Sequence, residues 1–352
     1  MTSDPTDPAR TTTVDVAIVG AGPIGLETAA AVRRTGRTVL NLDRGPIGSQ
    51  VVDFPPTVRW FSGPERIAIA GVPLETVAQE KATREEYLAY LRTVVGLMDL
   101  EVRTFETVEA IDGEQGRFTL RTVTRAGRPR TVEAAAVVLA IGGTARHRRL
   151  DVPGEDLPHV HREVGEPHWA HGRRVVVVGG KNSAADSALR LWRAGAAVTM
   201  AYRGPAVHPR IKYWIRPELE ACIRSGLIQA RFGVEPTEIT ADGIALRHVE
   251  SGEPSFEPAD DILLQIGYEA DGSMFRALGC RLEGEQAAVA HDPETMETSI
   301  PGVYVAGTAV AGTQGSFQVY IENSHVHAAR IAAALSGSAP PPTPELPELP
   351  EA

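Results

Sequence analysis

Residues 16–44, VAIVGAGPIGLETAAAVRRTGRTVLNLDR, decide the fold. A run of small and β-branched apolar residues reads as a strand buried on both faces. It breaks into G-x-G-x-x-G at Gly20, Gly22 and Gly25, and the next residues carry apolar side chains at helical spacing as far as Gly36. Each glycine has a physical task. Gly20 permits the tight turn, Gly22 lets a pyrophosphate approach the backbone, and Gly25 lets the helix lie close to the sheet. The helix opens with Pro23, and its free N–H groups and positive dipole end face the phosphates. A second strand then ends on Asp43, an acid placed to accept hydrogen bonds from ribose hydroxyls. Strand, turn, helix, strand and acid together predict a bound dinucleotide and an α/β fold.

A second stretch has the same rhythm: RRVVVVGGKNSAADSALRLWRAGAAVTMAYRG, residues 173–204. Gly179 and Gly180 open the turn and Ala184 takes the last glycine place, where alanine is tolerated. Lys181 replaces the middle glycine, and Asn182 and Ser183 begin the helix. After the following strand the acid is missing and Arg203 stands there instead. An acid would repel a 2′-phosphate, whereas arginine binds it. Arg210 and Lys212 add positive charge. The residues predict an NADPH site, weighed against a bland reading in which the three cations form a solvated loop face.

The rest of the chain is organised around these units. Of 352 residues 43% are hydrophobic, enough for two domains with real cores. A net charge of −10 argues against nucleic acid or an anionic membrane as partner. No apolar run is long enough to span a bilayer, and the polar start lacks an apolar signal core, so a cytoplasmic protein is expected. Thr83 with Glu86 three residues later predicts a capping box on a helix over TREEYLAYLRTVVGLM, 83–98. Short alternating stretches between 101 and 140 predict an antiparallel sheet returning into a buried strand. The segments VVLAIGG and GVYVAGT complete the first sheet, and the second glycine unit lies between them. One domain is therefore inserted into another: residues 13–156 and 271–336 form the first, and 157–270 the second. Residues 1–12 and the Pro- and Glu-rich 337–352 are expected to be disordered. The stretch FQVYIENSHVHAARIAAALSG, 317–337, reads as the last helix.

With these residues in view, the chain resembles the two-dinucleotide flavoproteins of the thioredoxin-reductase-like type, and within them the bacillithiol-disulfide reductase family. The resemblance rests on GAGPIGL, WFSGPERIAIAGVP, GGKNSAADSAL, YRG followed by HPRIKYWIRP, QIGYEAD, YVAGT and YIENSHVHAARIAAAL, spread over about 14–335. It implies two Rossmann-like domains, an FAD domain interrupted by a smaller NADPH domain, in a homodimer. It also implies hydride transfer from NADPH to FAD. The FAD contacts it implies are Gly20, Gly22, Pro23, Gly25, Asp43, Arg44, Gln50, Phe61, Gly142, Gly307, Thr308 and Gln318. Thr308 stands where most of the superfamily has aspartate, which weakens a hydrogen bond to the ribityl chain. The start of the last helix, from Gln318 to Glu322, would turn its positive end toward the flavin N1–C2=O edge. The resemblance implies for NADPH the same residues of the second turn, Gly179 to Ala184 with Arg203, Arg210 and Lys212. Trp60 and Phe61 either line the flavin or simply pack. His327 matches a family histidine, near the flavin or the dimer interface or as a packing residue.

The pattern departs from the family at the redox thiol. Thioredoxin reductases carry C-x-x-C, and this chain has none. Bacillithiol-disulfide reductases place a cysteine in the first turn, in G-G-G-P-C-G, where this chain has Ile24. The catalytic residue is thus unassigned. Cys222 and Cys280 are read as small buried hydrophobes. His159, His161, His168 and His171 cluster in sequence without patterned acids or cysteines, and no metal site is expected. The acceptor is expected to be a low-molecular-weight disulfide such as bacillithiol disulfide. The alternatives are a quinone, a ferredoxin or flavodoxin, or no acceptor at all in a non-catalytic sensor that binds FAD and NADPH.

Overall fold

The computed structural model describes residues 11–315 and 318–342. They divide into two units. One contains residues 11–52, 62–146 and 268–342, the other residues 53–61 and 147–267.

The first unit is built on a seven-stranded sheet. Its parallel part places Thr11–Val19 between Val39–Leu42 and Pro129–Leu139. The long strand Pro129–Leu139 does double duty. Its first half pairs antiparallel with Arg117–Thr124, and its last three residues pair parallel with Val303–Val305. Glu106–Glu114 closes the antiparallel edge. The glycine-turn helix Pro23–Arg33 buries Ile24, Leu26, Ala29, Ala30 and Val32. The capped helix Arg84–Leu97 buries Tyr87, Tyr90, Leu91 and Val94. Both halves of the expected capping box form: Glu86 N–H donates to Thr83 Oγ1 at 3.2 Å, and Thr83 N–H to Glu86 Oε2 at 2.7 Å.

The second unit has a five-stranded, wholly parallel sheet, in the order Ile228–Phe232, Ala197–Tyr202, Arg174–Val178, Asp261–Leu264, Val160–His161. A three-stranded antiparallel meander over residues 234–258 packs on one side of it. The amphipathic helix Asn182–Arg193 packs on the other, in a core with Val175, Val177, Val198 and Leu219.

Three expectations are corrected. Thr11 and Thr12 begin the first strand, paired with Thr131 and Val132, because a β-branched run extends the ladder; residues 1–10 lie outside those described. The domain boundaries move from 156/157 and 270/271 to 146/147 and 267/268, and residues 53–61 join the second unit. Leu150, Val152 and Leu157 pack against the second unit's core, and the Pro56 carbonyl accepts a hydrogen bond from Arg190 at 2.9 Å. The last helix begins at His325, not 317, and runs to Ser336, with Gly337 left-handed at its C-terminus. Residues 338–342 carry no regular structure, and 343–352 lie outside the described residues.

Candidate functional site

The two glycine turns are built alike. Each follows the central strand of its sheet and sits between the ends of two neighbouring strands, where α/β sheets bind ligands. In the first unit, Gly20 N–H donates to the Leu42 carbonyl and Ala140 N–H to the Val19 carbonyl. A Cβ at Gly20 would strike the Ala140 carbonyl, and one at Gly25 would strike the Gly20 carbonyl. By contrast, nothing lies within 4 Å of a Cβ built on Gly22, so the space before the helix N-terminus is open to a phosphate. In the second unit, Gly179 N–H donates to Ala201 and Gln265 N–H to Val178. A Cβ at Gly179 would strike the Gln265 carbonyl. The collisions give the physical reason for glycine at positions 20, 25 and 179.

Asp43 is already engaged by the turn itself. Its buried carboxylate accepts Ala21 N–H at 2.7 Å, Gly45 N–H at 2.8 Å and Ser49 Oγ at 3.3 Å. It therefore shapes the turn, and a carboxylate has lone pairs left for a ligand. Asn41, overlooked in the sequence, is the other brace. Fully buried, its amide donates to the carbonyls of Gly20 and Gly25 at 3.1 and 3.3 Å. The available signal was an asparagine inside the apolar strand VLNL.

Around the second turn the charge is positive. Lys181 stands at the N-cap position of the helix with no side-chain capping bond, and Asn182 Oδ1 accepts Lys212 N–H at 2.9 Å, tying the turn to the basic loop. Arg203, Arg210 and Ser183 are exposed and Lys212 half-buried, with its Nζ 5.9 Å from the Trp214 ring centre. His208 stands below its ordinary pKa, through burial first and then through Lys181 and Arg210. The Tyr202 ring lies over the Cα atoms of Gly180 and Gly204.

The model of the pyridine nucleotide-disulphide oxidoreductase family matches residues 17–307. The chain belongs to the pyridine nucleotide-disulphide oxidoreductase family. The bacilliredoxin reductase Bdr of Bacillus subtilis is 33% identical over 322 residues, covering 91% of this chain and 96% of that protein. The bacillithiol disulfide reductase Bdr from Bacillus cereus superposes with a TM-score of 0.87 at 33% identity, over 93% of this chain and 99% of that one. A ferredoxin–NADP reductase of Ignicoccus hospitalis is 29% identical over 299 residues, 83% of this chain and 89% of that protein.

The remaining residues expected to act in this family member are distributed unevenly. Ile24 is buried in the first turn of its helix, and Gly307 leaves room for it: a Cβ on Gly307 would lie 3.2 Å from Ile24 Cβ. Thr308, half-buried, abuts Gly143. The Gln50 amide lies against Gly142, while Arg44 is exposed. Phe61 belongs to the second unit, where its ring is 6.4 Å from Trp214, and Trp60 packs edge-on to Phe54 at 5.8 Å. Gln318 is exposed and precedes the last helix, so the expected helix N-terminus over residues 318–322 does not exist. The histidines of the crossing segment are engaged separately. His159 bonds the Thr240 carbonyl, His161 bonds Asp261 at 2.9 Å, and His171 bonds the Ala194 carbonyl. Among the described residues no group of three or more His, Cys, Asp and Glu is placed to hold a metal.

Neither cysteine has the setting of a reactive thiolate. Both are buried, and burial pushes both thiols above their ordinary pKa. Cys222 sits in the helix Arg216–Arg224 of the second unit, and Cys280 Sγ lies 3.5 Å from Thr298 Oγ1. Two histidines of the last helix, His325 and His327, also lie in the first unit. His325 Nδ1 donates to Glu27 Oε2 at 2.7 Å and Nε2 to the Arg66 carbonyl at 2.9 Å. Burial pulls its pKa down, but Glu27 and the Arg66 carbonyl outweigh it and hold it above the ordinary value. His327 is the opposite case, pushed down to about 4 by burial and then by His291, Arg330 and His325.

Proposed function

We propose that this chain is an NADPH-dependent FAD oxidoreductase that reduces a low-molecular-weight disulfide, bacillithiol disulfide being the first candidate, without a protein thiol. FAD occupies the first unit and NADPH the second. The observation that carries the assignment is the contrast between the two glycine turns, an acid at Asp43 in one and Arg203 within a basic loop in the other. FAD, when bound, takes a hydride's two electrons from the nicotinamide and hands them to an acceptor. The chain's residues do the rest. Gly22 leaves the helix N-terminus open to the pyrophosphate, while Asp43 and Asn41 hold that turn in shape. Lys181, Arg203, Arg210 and Lys212 supply cations for the 2′-phosphate and the pyrophosphate.

The overall reaction balances as NADPH, one proton and a disulfide giving NADP⁺ and two thiols. Ile24 leaves no thiol in the turn to form a mixed disulfide, so the acceptor meets the flavin directly. That same residue favours a second reading, a ferredoxin–NADP reductase activity, since a one-electron protein acceptor needs no protein thiol either. The homodimer and the cytoplasmic location belong to this proposal; no helix among the described residues is long and apolar enough to cross a membrane. The purified protein should be yellow, release FAD on denaturation, and oxidise NADPH faster with bacillithiol disulfide than with ferredoxin. Turnover with ferredoxin alone would favour the second reading. A protein that binds both cofactors yet turns over no acceptor, artificial dyes included, would be a sensor.

A further inference from the structure

We infer that His327 is a positioning residue for the flavin site: its neutral imidazole holds the Gly307–Thr308 turn in the shape that presents Thr308 to FAD. The inference rests on the FAD reading of the first unit. Backbone amides at the end of the strand Val303–Val305 are satisfied one after another. Val305 N–H donates to the Met296 carbonyl at 3.0 Å and Ala306 N–H to Leu139 at 3.1 Å. The next amide, Gly307 N–H, has left the ladder and is buried. It donates instead to His327 Nδ1 at 3.2 Å, across from the first turn of the last helix. Gly307 is left-handed, at φ +70°, with its Cα against Ile24, and Thr308 lies against Gly143. The turn is thus clamped by the glycine-turn helix on one side, the 142–143 loop on another and the imidazole on the third.

The geometry fixes the ring's chemistry. Nδ1 accepts, so the proton sits on Nε2 and the ring is neutral. A protonated ring would set N–H against N–H and release the turn. His291, Arg330 and His325 are the charged or titratable groups around it, and all three oppose a second proton. Without an acceptor at this point the buried Gly307 N–H would lack a partner, and the turn would shift to find one.

The test compares FAD affinity across three variants, measured by flavin fluorescence on titrating apoprotein, alongside the visible circular dichroism of bound flavin and the melting temperature of the apoprotein. In His327→Asn the amide oxygen replaces Nδ1, and affinity should stay within about threefold of the unmodified chain. In His327→Gln the oxygen falls nearer the Nε2 position. In His327→Leu there is no acceptor. Both should lose roughly tenfold or more in affinity, the order expected for one orphaned buried amide, with an altered dichroic band. If the Leu variant does not fold, the Asn and Gln pair still decides the matter. Equal affinities for Asn and Gln, or a Leu variant with unchanged affinity and dichroism, would overturn the inference. Melting temperatures that fall in step with affinity for all three would also overturn it, by showing a merely structural histidine. An unmodified chain that takes up no FAD would overturn the reading beneath it, and this inference with it.

Discussion

His325 and His327 stand two residues apart in one helical turn, and their surroundings push their pKa values in opposite directions. Both nitrogens of His325 face acceptors, Glu27 and the Arg66 carbonyl, which favours its protonated form; Nδ1 of His327 faces the Gly307 N–H, which favours its neutral form. The two respond to pH with opposite sign. His327 has a folded pKa of about 4 against an ordinary 6.5. Between these values the unfolded chain binds the extra proton, so the stability it lends is full above about pH 6.5 and is lost as pH falls toward 4. The whole loss is on the order of 3 kcal/mol. His325, with its raised value, contributes stability at low pH that fades as pH rises through its folded pKa. Urea unfolding at pH 7 and pH 5 should show a larger acid loss in the unmodified chain than in His327→Asn. The proposed contact of Arg203 with a 2′-phosphate bears on cofactor choice instead. A charge-assisted hydrogen bond contributes about 1.5–3 kcal/mol, so Arg203→Ala should cost roughly ten- to a hundredfold in kcat/KM for NADPH relative to NADH. An unmodified enzyme that used both cofactors equally would contradict the assignment. At this scale the sequence was legible where a motif fixes spacing, as in the close packing at Gly20 and Gly25. Asn41 was not assigned, and His327 was left between the flavin, the dimer interface and simple packing, because the partners of both are backbone groups that only the folded chain brings near.

Among the elements, the strand–turn–helix units could be read because close packing leaves their glycines no substitute. Gly25→Ala would drive a methyl into the Gly20 carbonyl, a backbone group that cannot step aside. It should cost about 1–3 kcal/mol of stability, as overpacking does, and abolish FAD uptake, both readable by thermal melting with and without FAD. The helix Arg84–Leu97 offers a milder test. Thr83→Ala removes a cap and should cost about 1 kcal/mol with no change in cofactor preference. The last helix shows where periodicity misleads. Apolar residues continue at helical spacing through 319–321, yet side chains capture the backbone first. Gln314 Oε1 accepts the amides of Gln318 and Val319, Asn323 accepts that of Tyr320, and Ser324 Oγ bonds the Tyr320 carbonyl. Such local bonds compete with helical ones and win here.

For the whole molecule, the insertion of one unit into another was visible in the order of strands, since VVLAIGG and GVYVAGT flank the second turn and both end beside the first. The first boundary lies ten residues earlier than expected because the segment 151–172, rich in Pro, His and Gly, looks like a crossing between domains. In the fold its buried Glu155 is held by Arg162 at 2.6 Å and by Asp151 N–H at 2.5 Å, and its apolar residues join the second core. Residues 53–61 gave no compositional sign of their unit. The central claim is that this oxidoreductase moves electrons from NADPH to its acceptor with no thiol of its own. The most direct measurement is NADPH-driven reduction of bacillithiol disulfide, and of the bound flavin itself, in the Cys222→Ser, Cys280→Ser double variant under anaerobic conditions. Both cysteines are buried with raised pKa values, so the rates should match those of the unmodified chain, and no long-wavelength thiolate-to-flavin band should appear in either protein. Disulfide reduction that disappears in the double variant while flavin reduction persists would contradict the account and place a cysteine in the electron path.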